Sequence, residues 1–165
     1  MITKRSVKYR YSKFKKHWKN YVLQSVMATV LIYLLLSILH LQHLVNVASI
    51  GASAFIVFAM PKSITAKEKN LVGGHISGII VGALLAILLA SCKVTAIRLV
   101  IMALSVGITM FIMVVVDVEH PPACGTALGI AADGFSSELA LAVIVSSLLL
   151  AAAHYFLKPY MKTLV

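Results

Sequence analysis

Charge is scarce in this chain, and negative charge scarcest: of 165 residues only 12% are charged, and just 5 are Asp or Glu against 15 Lys or Arg. Cysteine is nearly absent too, with only Cys92 and Cys124, so neither a disulfide framework nor a CxxC-type metal site is available. Buried cysteine acting as a small apolar residue is the default reading. No cluster of metal ligands stands out, and no metal or cofactor is expected. What fills the space is hydrocarbon. Apolar residues make up 61% of the sequence and mean hydropathy is +0.98, far above the roughly 45–50% apolar share of soluble domains. The composition is that of an integral membrane protein.

The basic residues are unevenly placed. Lys4, Arg5, Lys8, Arg10, Lys13, Lys15, Lys16 and Lys19 precede the first long apolar run, with no acid among them. A basic arm can bind nucleic acid, but one joined directly to a hydrophobic span is a topogenic signal that faces lipid, so a cytoplasmic N-terminus is expected and nucleic acid is not. Tyr11, Phe14, Trp18 and Tyr21 recur at helical steps among the lysines, which predicts an amphipathic interfacial arm over residues 1–20 held by anionic headgroups. The following run is too long for a signal-peptide core and lacks a small-residue cleavage site, so it is expected to stay as an anchor.

Residues 21–165 read as one transmembrane domain of about six hydrophobic segments, an all-α fold. Four are long: residues 21–39, 71–90, 97–116 and 139–157. Two are short, 44–60 with 17 residues and 119–134, and are expected to be broken or re-entrant; in the second, the roughly 14 residues from 119 to 132 reach only about 21 Å of a roughly 30 Å hydrocarbon core. Small residues in 46–59 align with 119–132 at a constant offset, Ser53 falling on Thr126 and Ala54 on Ala127. Two pseudo-repeats, about 21–91 and 96–158, are therefore expected, each with a short segment at its centre, and paired short segments point to a transporter's binding site. Gly74, Gly78 and Gly82 recur every four residues and predict a groove for close helix contact. His40 and His43, at the far surface, are read as interfacial residues rather than metal ligands.

The most informative stretch is Asp117-Val118-Glu119-His120-Pro121-Pro122-Ala123-Cys124-Gly125-Thr126. Pro121 and Pro122 end one helix and preorganise the next, whose first N–H groups, from about Ala123 to Thr126, are expected to attract an anion. Ionisable groups bordering a bilayer usually face a pathway. Asp117 or Glu119 is expected to orient and charge His120. His75 and His120 are the candidates for proton coupling or gating, along with those two acids. Ser49, Gly51, Ser53, His120, Gly125 and Thr126 are the candidate substrate contacts, and with no arginine near them they suit a small monovalent anion. The rival readings are a membrane enzyme using Glu119, His120 and Cys124, and a structural or regulatory subunit acting through its arm.

The Glu119-His120-Pro121-Pro122-Ala123 motif, followed by Gly125-Thr126-Ala127-Leu128 and preceded by Gly51-Ala52-Ser53-Ala54, Pro61, Asn70 and Gly74-His75, resembles the HPP family of integral membrane proteins. The resemblance spans roughly residues 44–157. It implies a compact multi-span protein of bacteria or plastids, here of a bacterial inner membrane, with nitrite uptake as the activity attributed to some members. Where many members carry Gln-Pro-Arg before the asparagine, this chain has Lys67-Glu68-Lys69. A 165-residue chain can barely enclose a pore, so a homo-oligomer is expected. No catalytic role is expected of it.

Overall fold

The computed structural model describes residues 4–39 and 44–165. His40 and His43 lie outside the described residues, as do the side chains of the arm before Lys15. Among the described residues six α-helices follow one another: α1 Lys4–Leu39, α2 Leu44–Ala59, α3 Glu68–Ala90, α4 Thr95–Val115, α5 Pro122–Asp133 and α6 Ser137–Leu157. Short 3-10 turns cover Ile64–Ala66 and Lys158–Tyr160. The protein is an all-α membrane protein.

Local chemistry sets these boundaries. His17 breaks the helical path of α1 (φ −126°, ψ 17°) where the basic arm passes into the first apolar stretch. Pro61 follows the end of α2, and Ser63 caps the 3-10 turn by accepting from the Thr65 N–H. Pro122 occupies the first position of α5, and Gly134, at φ 95°, ends it with a backbone that few other residues adopt. Ser136 caps α6, accepting from the Leu139 N–H at 3.0 Å.

Among the described residues, four stretches are long and apolar enough to cross a membrane: Lys15–Ser37, Glu68–Ala90, Thr95–Val115 and Ser137–Tyr160. α2, with 16 residues, and α5, with 12, are not. At 1.5 Å per residue they reach about 24 and about 18 Å, short of a roughly 30 Å core. A helix that cannot span has ends inside the protein, and those ends need partners.

α3 supplies the closest wall. A methyl added at Gly74 would lie 2.6 Å from Cβ of His120, one at Gly78 2.5 Å from the Ala123 carbonyl oxygen, and one at Gly82 2.8 Å from that of Ala127. The contacts ascend together along both chains, so α3 and α5 run side by side in the same direction, their backbones meeting where side chains are missing. Leu35, Ile50, Val57, Phe58, Leu71, Ile79, Ile130, Val143 and Leu150 join α1, α2, α3, α5 and α6 in one core. α4 instead exposes Leu99, Val100, Phe111, Val114 and Val115, a surface suited to lipid.

One face gathers the polar ends. Gln24, buried within an apolar span, donates to the carbonyls of Phe58 and Lys162 and accepts from the Lys162 N–H at 3.1 Å. Tyr21 donates to Leu164 O at 2.6 Å, and the Leu164 N–H bonds Ala59 O at 2.9 Å. On the same side Lys69 Nζ meets Asp117 Oδ2 at 2.5 Å. The end of α2, the Lys62–Lys69 loop, the motif loop and the C-terminus therefore share one side, and successive segments alternate in direction.

Buried His154 locks this face. Its Nδ1 lies 2.8 Å from Glu68 Oε1 and its Nε2 2.8 Å from the Pro61 carbonyl, so each ring nitrogen has an acceptor. His154→Leu would leave both oxygens without their donor. Because Glu68 is partly exposed, the expected loss is modest for a buried site, about 2 kcal/mol, read as a lower melting temperature in detergent. An unchanged melting temperature would show that the link contributes nothing.

Candidate functional site

Where α2, α3 and α5 meet, five polar side chains form one continuous hydrogen-bonded chain inside the protein. The two short helices supply three of them. Ser49 and Ser53 are four residues apart on α2, hence on one face, and Thr126 occupies the second turn of α5. His75 projects from α3 beside Gly74, and His120 enters from the loop ahead of α5. All five are at most 4% exposed.

Their order is unambiguous. His120 Nδ1 donates to the Thr65 carbonyl at 2.8 Å, and His120 Nε2 lies 2.8 Å from Ser53 Oγ. Ser53 Oγ is 2.9 Å from His75 Nε2, and His75 Nδ1 is 2.9 Å from Thr126 Oγ1. Thr126 Oγ1 lies 2.8 Å from Ser49 Oγ, and Ser49 Oγ donates to the Pro122 carbonyl at 2.6 Å. The imidazoles stand with ring centres 5.1 Å apart, tilted by 58°. Ser53 and Thr126, the pair aligned by the small-residue offset, thus hold the two nitrogens of one ring.

Of the residues singled out from the sequence, Ser49, Ser53, His75, His120 and Thr126 come together. Gly125 borders them, since a methyl there would lie 3.3 Å from Cβ of Ser49, whereas a methyl at Gly51 would meet nothing within 4 Å. Pro121 and Pro122 shape the entry to α5, and Pro122 adds its carbonyl to the chain.

The structure corrects three expectations. Two of the donors expected at the tip of α5 are already engaged: the Ala123 N–H bonds His120 O at 2.9 Å and the Cys124 N–H bonds Pro121 O at 3.1 Å. Neither acid orients His120. Asp117 is exposed, adopts a left-handed backbone (φ 57°) and pairs with Lys69, whose hydrogen bond and charge hold its carboxyl below the usual range. Glu119 receives Asn70 Nδ2, at 3.3 Å on its carbonyl and 3.4 Å on its carboxylate. The group that orients His120 is a backbone carbonyl, that of Thr65. Nor do Glu119, His120 and Cys124 form a constellation, because the Cys124 thiol is directed at the Val106 carbonyl, 3.8 Å away.

Comparison with known proteins agrees with the architecture. The family model described as HPP, transmembrane region, matches residues 13–161. A transmembrane protein of Dictyostelium discoideum is 34% identical over 91 residues, which is 53% of this chain and 30% of that relative's length. No solved structure matches the chain significantly.

Proposed function

The chain belongs to the HPP transmembrane family, and from that premise we propose that it transports a small monovalent anion, nitrite being the best single candidate, along the seam between α2 and α5. The observation that carries this reading is the buried chain of hydroxyls and imidazoles between two helices too short to cross a membrane. Burying polar groups is costly unless they are paired, and their concentration at the junction of the short helices suits a pathway better than a scaffold.

The seam as it stands is zipped shut. Ser49 links α2 to both Pro122 and Thr126, and an anion would replace those contacts when the helices part. Its ligands would be the hydroxyls of Ser49, Ser53 and Thr126 and an imidazole N–H, since the Ala123 and Cys124 N–H groups at the helix tip are already engaged. Neutral or singly charged donors of this kind match one negative charge, whereas a dianion calls for arginine. The same reading places the protein in a bacterial inner membrane as a homo-oligomer, its arm on anionic headgroups with the N-terminus in the cytoplasm, and assigns it no catalytic step.

Proteoliposomes holding the folded protein test this with nitrite, formate, nitrate and chloride. Saturable entry of nitrite above that of empty liposomes is expected. No entry of any of the four would overturn transport of a small anion.

A further inference from the structure

The buried chain is one proton short. It has six links, each bringing two electronegative atoms to between 2.6 and 2.9 Å, a separation that needs a proton between them. Both ends are carbonyls, Thr65 O and Pro122 O, which only accept. Between them, with both rings neutral, His120, Ser53, His75, Thr126 and Ser49 carry one mobile proton each, five in all. In that state some link sets lone pair against lone pair. Ser53 deepens the shortage, because its hydroxyl also lies 3.0 Å from the Ser49 carbonyl one turn back on α2, which competes for its proton.

We propose that this chain is a binding site for a single proton, shared by His75 and His120 through Ser53. With the sixth proton on His120, every link donates in one direction: His120 Nδ1 to Thr65 O, His120 Nε2 to Ser53, Ser53 to His75 Nε2, His75 Nδ1 to Thr126, Thr126 to Ser49, and Ser49 to Pro122 O. Moving the charge to His75 breaks the His120 Nε2–H bond and forms a Ser53 O–H bond, while Ser53 passes its original proton to His75 Nε2. All six links remain satisfied, so the two charged forms are equivalent in hydrogen bonding. A second added proton would set two imidazolium rings 5.1 Å apart with no anion between them, and their repulsion excludes it.

The surrounding ionisable groups leave the charge to these two rings. Glu68 faces His154, Asp117 faces Lys69, Glu119 faces Asn70, and the Cys124 thiol faces Val106 O. From α4, Met113 approaches the site beside Gly74, and Arg98 is bound to the carbonyls of Leu89 and Cys92. Glu138, in the first turn of α6, is exposed. Because both ends are carbonyls, which do not pass a proton on, the chain stores a proton rather than conducting one across the membrane. Thr65 is only half-buried and lies on the turn of the basic loop, so the proton enters where His120 releases Thr65 O. The site follows from proton count and geometry, and holds whichever solute crosses.

The test is a pH titration of the protein labelled with 15N-histidine, in lipid nanodiscs, between about pH 4 and 9, with signals assigned from single His→Gln variants. His75 and His120 are expected to move together with one midpoint, each by about half of a full protonation shift, so that the two sum to one proton. Ser53→Ala is expected to abolish the common midpoint, and Ser53→Thr, which keeps the hydroxyl, to retain it. Two independent full titrations in the wild type, or two rings that never move in the folded protein, would overturn the proposal, and either result is decisive even if Ser53→Ala does not fold.

Discussion

Gly78→Val is expected to be the most damaging single substitution in the membrane domain. A Cβ at Gly78 would stand 2.5 Å from the carbonyl oxygen of Ala123 and 3.4 Å from the Ala127 nitrogen. These are backbone atoms of α5 and cannot swing aside as a flexible side chain can. The whole first turn of α5 would have to retreat from α3, carrying Pro122 and Thr126 with it. Overpacking of this kind costs about 1–3 kcal/mol where a core can adjust, and the upper end or beyond is expected where backbone meets backbone. The melting temperature in detergent should fall by several degrees, and nitrite entry should fall with it because His75 and Thr126 no longer meet. Gly107 provides the control, since a methyl there has nothing within 4 Å. Gly107→Val should leave both readings near wild type, and equal damage at the two glycines would contradict the packing account.

Thr126→Val is expected to leave the fold standing and to cut transport sharply. Valine keeps the shape of threonine and deletes the one hydroxyl that links His75 Nδ1 to Ser49 Oγ. Both neighbours are buried and would lose a partner at once. Losing a buried hydrogen-bonding group costs about 1–3 kcal/mol, which corresponds to a flux loss of roughly fivefold to 150-fold if the same hydroxyl serves the anion during passage. Proteoliposome uptake at matched protein density measures it. Uptake within twofold of wild type would remove Thr126 from the pathway.

The helices themselves were legible because lipid demands long apolar runs and proline interrupts them at predictable places. The short segments were legible for the same reason, by failing the length that a bilayer sets. The glycine ladder could be read as a contact surface, and its partner proved to be α5, which no letter in α3 specifies. Ser49, Ser53, His75, His120 and Thr126 stand out as polar letters among apolar ones, so their grouping was within reach of the sequence. How they connect was not. The orienting group for His120 is the carbonyl of Thr65, and the far end of the chain is that of Pro122; main-chain acceptors carry no sequence signature. Adjacency along the chain suggests contact of Asp117 and Glu119 with His120, whereas the turn into α5 aims them at Lys69 and Asn70. Gln24 and His154 carry a weaker signal: a lone amide in an apolar span and a histidine in the last turn of another are each costly enough to imply a partner, without saying which.

The central claim is that a small anion meets the His75–Ser53–His120 seam. The most direct measurement is the 15N-histidine spectrum of the protein in nanodiscs as nitrite is added at constant pH. Saturable shifts of His75 and His120, with His154 unmoved on its Glu68 and Pro61 partners, are the predicted result. Nitrite that is transported while both seam signals stay fixed would place the pathway elsewhere and contradict the account.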